Sequence, residues 1–168
     1  LNRIGSNAGG GIYLVNSAPR LSQLLVIGNA ANQGAGLYFQ GDDVTPLELV
    51  VERGEFIANS THTNGGGGAI YLSSPNNGPY QSLLREVYLT GNSAVRGAAI
   101  YSDAVDVDIE GSTISENLGT GTTGYYESTV LSLDGRLGLS HSTVADNFSG
   151  AGAALHSVLY TAGESREL

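Results

Sequence analysis

Two groups of acids stand close enough in this sequence to work together: Asp42 with Asp43, and Asp103 with Asp106 and Asp108. Paired carboxylates can cleave glycosidic bonds as acid and base, or can hold a calcium ion. The plainer alternative is a solvated face, since the chain carries a formal charge of −9 and scatters acids along its length. His62, His141 and His156 show no metal-ligand spacing, and there is no cysteine to complete a set. The stretch TNGGGGAIYLSS, with Gly65, Gly66, Gly67 and Gly68 in a row, has the look of a phosphate cradle. Such a loop opens a helix and supplies a lysine; no helical stripe follows here, and all 7 basic residues are arginine. No nucleophilic triad can be assembled either. The sequence therefore assigns no catalytic and no metal-binding residue, and calcium at the acid pairs is the one cofactor it leaves open.

What must position these groups is a repeat. An apolar residue followed three positions later by asparagine recurs at Ile4 and Asn7, Val26 and Asn29, Phe56 and Asn59, Leu89 and Asn92, Ile114 and Asn117, and Val144 and Asn147. Eight residues before the asparagine stands a second aliphatic: Leu21, Val51, Leu84, Ile109 and Leu139. After it, a small glycine-rich spacer leads to a third aliphatic, at Ile12, Leu37, Ile70, Ile100, Val130 and Leu155, usually followed by tyrosine. Successive asparagines lie 22 to 33 residues apart, the range of one solenoid turn. Val105, Val107 and Ile109 alternate with Asp106, Asp108 and Glu110, a strand with one dry and one wet face. The expectation is an all-β solenoid: a single-stranded parallel β-helix of about six coils, with three short strands per turn. Residues 1–168 read as one domain, and the want of a recognisable cap at either end suggests a segment of a longer chain or a subunit whose ends dock on partners.

Within that frame each motif acquires a place. The glycines fall at one interval of every turn, where a corner needs positive φ or a missing side chain. Asn7, Asn29, Asn59, Asn92, Asn117 and Asn147 are expected to stack as a hydrogen-bonded ladder. Two of them, Asn59 and Asn147, also head glycosylation sequons, and stacking predicts that both stay bare. Tyr13, Tyr38, Tyr71 and Tyr101 form an outward column. Such rings either stack on one another and shelter beneath loops, or present a flat strip on which sugar faces could bind. Glu52, Arg85 and Glu110 share one repeat position and Arg53 and Glu86 the next, which predicts ion pairs between coils that fix their register.

The segments NAGGGIYL, NQGAGLYF, NGGGGAIYL, VDIEGSTISEN and LGLSHSTVADN resemble the repeats of right-handed parallel β-helix proteins, notably bacterial polymorphic outer-membrane proteins and similar adhesin-like surface proteins. The likeness covers nearly all of the chain. It departs in the fifth and sixth turns, where Leu131 and His156 stand in the tyrosine column. The resemblance implies a right-handed coil and an extracellular or cell-surface location.

The function expected is a structural and binding module, adhesin-like, that meets glycans or other proteins through its loops at residues 38–50, 59–69, 71–83 and 117–129. An acidic surface without lysine argues against nucleic acid as partner. No apolar run approaches the ~20 residues that cross a bilayer as a helix. Two alternatives stand beside this reading. One is a polysaccharide lyase or glycoside hydrolase on a pectate-lyase-like β-helix, which the missing lysine weighs against. The other is an accessory subunit of a larger extracellular or membrane assembly.

Overall fold

The computed structural model describes residues 8–41, 46–74, 80–121, 127–150, 152–161 and 164–167, and these contain strands and turns but no helix. Asn7 and the Asp42 and Asp43 pair lie outside them. The strands form four sheets, and within each sheet a strand's neighbours come from the preceding and following turns of the chain. The first sheet stacks Ile12–Val15, Leu37–Gln40, Ile70–Ser73, Ile100–Asp103, Val130–Leu133 and Leu155–Thr161 in parallel, then adds Glu164–Glu167 antiparallel. The second contains Arg20–Ser22, Glu48–Glu52, Gln81–Arg85, Asp106–Glu110 and Leu137–Ser140. The third contains Leu25–Ile27, Glu55–Ile57, Tyr88–Thr90, Thr113–Ser115 and Thr143–Ala145. The fourth contains Ala30–Gln33, Ser60–Gly66, Ser93–Ala94, Leu118–Gly119 and Phe148–Ser149. This is a parallel β-helix.

Each full coil has four strands, not the three expected from sequence. The spacer after each asparagine carries too little side chain to read as a strand, yet its backbone still needs partners. Neighbouring coils supply them: Ser60 N donates to Asn29 O at 2.9 Å and Ser93 N to Asn59 O at 2.9 Å.

The three aliphatic columns are vertical neighbours. Val26, Phe56, Leu89, Ile114 and Val144 occupy one register position, Leu21, Val51, Leu84, Ile109 and Leu139 another. The third column runs from Ile12 to Leu155. In the middle coils these side chains are fully buried and form one continuous core. Tyr80 joins them from the end of an insertion, its ring edge-on to Phe39 at 6.1 Å. In the next two coils, where the connection is short, Ser102 and Ser132 take the place of Phe39 and Leu72. Their hydroxyls donate to Val105 O (2.8 Å) and Gly135 O (3.1 Å), which closes the tighter corner.

Corners recur because one residue in each adopts left-handed backbone. Gly28, Ala58, Gly91, Glu116 and Asp146, each directly before a ladder asparagine, have φ between 53° and 65°. Gln23, Arg53, Glu86, Gly111 and His141 do the same one corner earlier, with φ between 48° and 58°. A side chain in this region costs about 1–2 kcal/mol. The position persists because its N–H reaches the next coil, as Ala58 N does to Thr90 O at 3.1 Å.

Candidate binding surface

The ladder asparagines are turned inward by the left-handed residue before them, and Asn29, Asn59, Asn92 and Asn117 are buried. Each side-chain amide nitrogen donates to the next asparagine's Oδ1: Asn29 to Asn59 at 2.9 Å, Asn59 to Asn92 and Asn92 to Asn117 at 3.0 Å, Asn117 to Asn147 at 2.9 Å. The same Oδ1 atoms accept the backbone N–H of the preceding asparagine. The second amide hydrogen of Asn59, Asn92, Asn117 and Asn147 goes to the carbonyl of Val26, Phe56, Leu89 and Ile114 respectively. A shorter serine ladder runs beside it, in which Ser142 Oγ accepts from Ser112 N and Ser112 Oγ from Val87 N. Because a glycan would have to replace an amide hydrogen already bonded to a backbone carbonyl, buried at Asn59 and part-buried at Asn147, both are expected to stay unmodified in a glycosylating host. Intact mass of the native protein checks this, and a glycan increment lost on Asn59→Gln would contradict it.

The tyrosine column lines the outside of the first sheet, in register from Tyr13 through Tyr38 and Tyr71 to Tyr101. Its rings lie nearly parallel, with centroids 5.2, 5.1 and 4.9 Å apart and interplanar angles of 8°, 8° and 10°. The ring faces are therefore spent on one another. Tyr38 and Tyr101 are only 7% and 5% exposed, while Tyr13 at the head of the stack is 58% exposed. Arg96 sits 5.6 Å from the Tyr101 ring centroid, a cation–π contact. The Tyr38 hydroxyl donates to Gln40 Oε1 at 2.7 Å. Burial first, and then the neighbouring phenols, push the Tyr71 hydroxyl well above its ordinary pKa.

The charged residues are organised by pairing. Arg85 Nε bonds Glu110 Oε2 at 2.9 Å, Arg85 Nη1 bonds Glu52 Oε1 at 3.2 Å, and Arg20 Nη2 bonds the same Glu52 oxygen at 2.6 Å. Arg20 was not visible to same-offset reasoning because it pairs in register with Val50, two residues before the acid it binds. Arg53 and Glu86, expected to pair, do not. Both sit at the left-handed corner and project into solvent, and no ion pair joins them. The Arg20 hydrogen bond, helped by the charges of Arg20, Arg85 and Arg53 and opposed by desolvation, holds the Glu52 carboxyl below the usual carboxylate range. A depressed carboxyl stabilises the fold above its unfolded pKa, and that contribution is lost as pH falls through the folded value. Arg85→Glu is expected to lower the melting temperature at neutral pH and low salt, with the loss shrinking at ~1 M salt and below the carboxylate range. Equal melting of the two proteins at low salt would remove the ladder's role in register.

The acids near residue 106 are also committed. Arg136 forks onto Asp108, with Nη1 to Oδ1 at 2.8 Å and Nη2 to Oδ2 at 2.5 Å, and its backbone N–H donates to Asp106 Oδ1 at 2.8 Å. Asp103 stands apart and half-buried; desolvation, and then the Asp134 charge, raise its pKa against the pull of Arg96. Among the described residues no three His, Cys, Asp or Glu side chains converge as metal ligands. His62 lies exposed in the strand Ser60–Gly66 rather than in a loop, His141 sits at a left-handed corner just past its strand, and His156 continues the tyrosine column in register with Leu131.

One tyrosine outside the column is differently placed. Tyr88 projects from the third sheet, is 55% exposed and has no aromatic partner among the described rings. Its in-register neighbours are Glu55 and Thr113. The repeat does not reveal it, because no other described turn has an aromatic at this position; the signal in the sequence is its alternation with inward Leu89. The chain matches no protein-family model, no curated protein and no solved structure.

Proposed function

We infer that this chain is a rigid β-helical rod in an exported, surface-displayed protein, a structural module that binds glycans or other proteins along its flank. The observation that carries the reading is the unbroken asparagine ladder from Asn29 to Asn147, which ties five successive coils through the core. Ladders of this kind resist bending and unwinding while leaving the outer face of every sheet free to vary. The likeness of the GGGIY and STISEN type repeats to those of adhesin-like bacterial surface proteins supports an extracellular or cell-surface setting. The catalytic alternative draws little support, since Asp106 and Asp108 are engaged with Arg136.

The test is retention of the purified chain on immobilised neutral and acidic polysaccharides and on surface and matrix proteins, with released sugar assayed in parallel. Saturable retention without product supports the binding module. Release of cleaved oligosaccharide, or retention on nothing in the panel, overturns it.

A further inference from the structure

Resting on the glycan-binding reading above, we propose that the outer face of the third sheet is the binding track, and that its ligand is a neutral, extended polysaccharide chain lying along the coil axis across Tyr88. This face carries none of the ion pairs described above and, on a chain of net charge −9, Glu55 is the only charged residue its strands present. Yet it exposes large apolar side chains: Leu25 at 65%, Ile27 at 46% and Tyr88 at 55%.

The face is also kept clear of loops. From Ser22, Glu52, Arg85, Glu110 and Ser140 to the following ladder asparagine the separation is always seven residues, so no insertion interrupts it. The turns vary in length only elsewhere.

Its dimensions choose among occupants. Three-residue strands make it roughly 10 Å wide, and five coils make it roughly 20 Å long, hence roughly 200 Å². A stable protein partner or a second copy needs about 800 Å² on each side. A ligand one chain wide is what fits. An extended peptide gains affinity by pairing its backbone with a sheet edge, and a sheet face offers no free N–H or C=O. A pyranose chain has the matching chemistry, with apolar C–H faces to lie on Tyr88, Leu25 and Ile27 and hydroxyls at its rim. Thr113 offers a hydroxyl next to the ring and Thr143 another one coil beyond; Thr90 and Ser115, whose hydroxyls bond each other at 3.3 Å, line the neighbouring row, and Glu55 provides an acceptor. Each sugar of an extended β-linked chain advances by nearly one coil rise of ~4.8 Å, so successive residues meet successive coils. Among the described residues the five strands of the face carry no cation, the nearest being Arg53 at the corner before Glu55, and this selects against uronate polymers.

Titration of the full chain with cellohexaose, laminarihexaose and hexagalacturonate, followed calorimetrically, tests this. The expected result is binding of a neutral hexaose that is little affected by salt, weakened at least tenfold by Tyr88→Ala and retained by Tyr88→Trp, with Tyr13→Ala unchanged. Tyr88 is exposed, so the variants should melt with the wild type. Neutral-sugar binding that survives Tyr88→Ala places the site elsewhere and leaves the binding-module reading standing. Binding of hexagalacturonate in preference, or a monomer–dimer equilibrium abolished by Tyr88→Ala, overturns the track in favour of another occupant. If none of the three sugars binds, the track fails; retention on a protein in the broader panel would still uphold the module.

Discussion

Replacing Asn92 with alanine is expected to remove about 4 kcal/mol of folding stability, more than any exposed substitution in this chain. The side chain makes four bonds in a buried setting: its amide donates to Asn117 Oδ1 and Phe56 O, and its Oδ1 accepts from the backbone and side chain of Asn59. Alanine would leave the Asn59 N–H, one Asn59 amide hydrogen and a lone pair of Phe56 O without those partners. Each orphaned buried group costs about 1–3 kcal/mol. Asn92→Asp should be no better, because it restores an acceptor but no donor and puts a charge in the core. Asn147→Ala, in a coil where the amide is only part-buried, should cost less, about 1–2 kcal/mol, since the bonds it breaks lie at the more exposed end of the ladder. Urea unfolding of the three variants measures the differences. A loss at Asn92 equal to that at Asn147 would mean the ladder follows the fold rather than supporting it.

Gly67→Ala should be nearly as damaging, at about 3 kcal/mol, and the comparison with Gly91→Ala isolates the reason. Both glycines are left-handed, with φ of 67° and 65°. At Gly91 an added Cβ finds nothing nearer than Ala58 N at 4.0 Å, and the same column already holds Ala58, Glu116 and Asp146. Only the backbone penalty of about 1 kcal/mol applies there. At Gly67 the Cβ would run into the carbonyl of Ile70, with Ile70 C at 2.7 Å and Tyr71 Cα at 2.8 Å, so rigid backbone blocks it. Gly9, Gly34 and Gly97 hold the same position, each three residues before the inward aliphatic and four before the tyrosine. The four-glycine run is one instance of this corner. Unfolding energies of the two alanine variants that agree within error would overturn the steric account.

The charged surface shows how far a repeat can be read. Glu52, Arg85 and Glu110 share an offset and were legible as a ladder, because equal offsets become vertical neighbours in a parallel coil. Arg20 shares no offset with Glu52, nor Arg136 with Asp108, although Arg136 stands in line with Asp106, whose carboxylate it also meets at 3.9 Å. Each reaches diagonally to a residue two positions further along the adjacent strand, a distance that arginine spans. The same limit hid Tyr88, whose position is not aromatic in any other turn, and the fourth strand, whose residues are mostly small or polar and show no alternation common to all turns.

The sequence alone determined the parallel winding, the three buried columns and the buried asparagines, since each follows from a local pattern repeated at one coil's spacing. Only the tertiary structure decided what the surface offers. Tyr13, Tyr38, Tyr71 and Tyr101 were legible as a column, but whether their faces meet sugar or each other depends on ring orientation and on what packs beside them. Backbone periodicity fixes where a side chain starts along the rod; its rotamer and its diagonal neighbours fix what it touches, and those belong to the assembled coil.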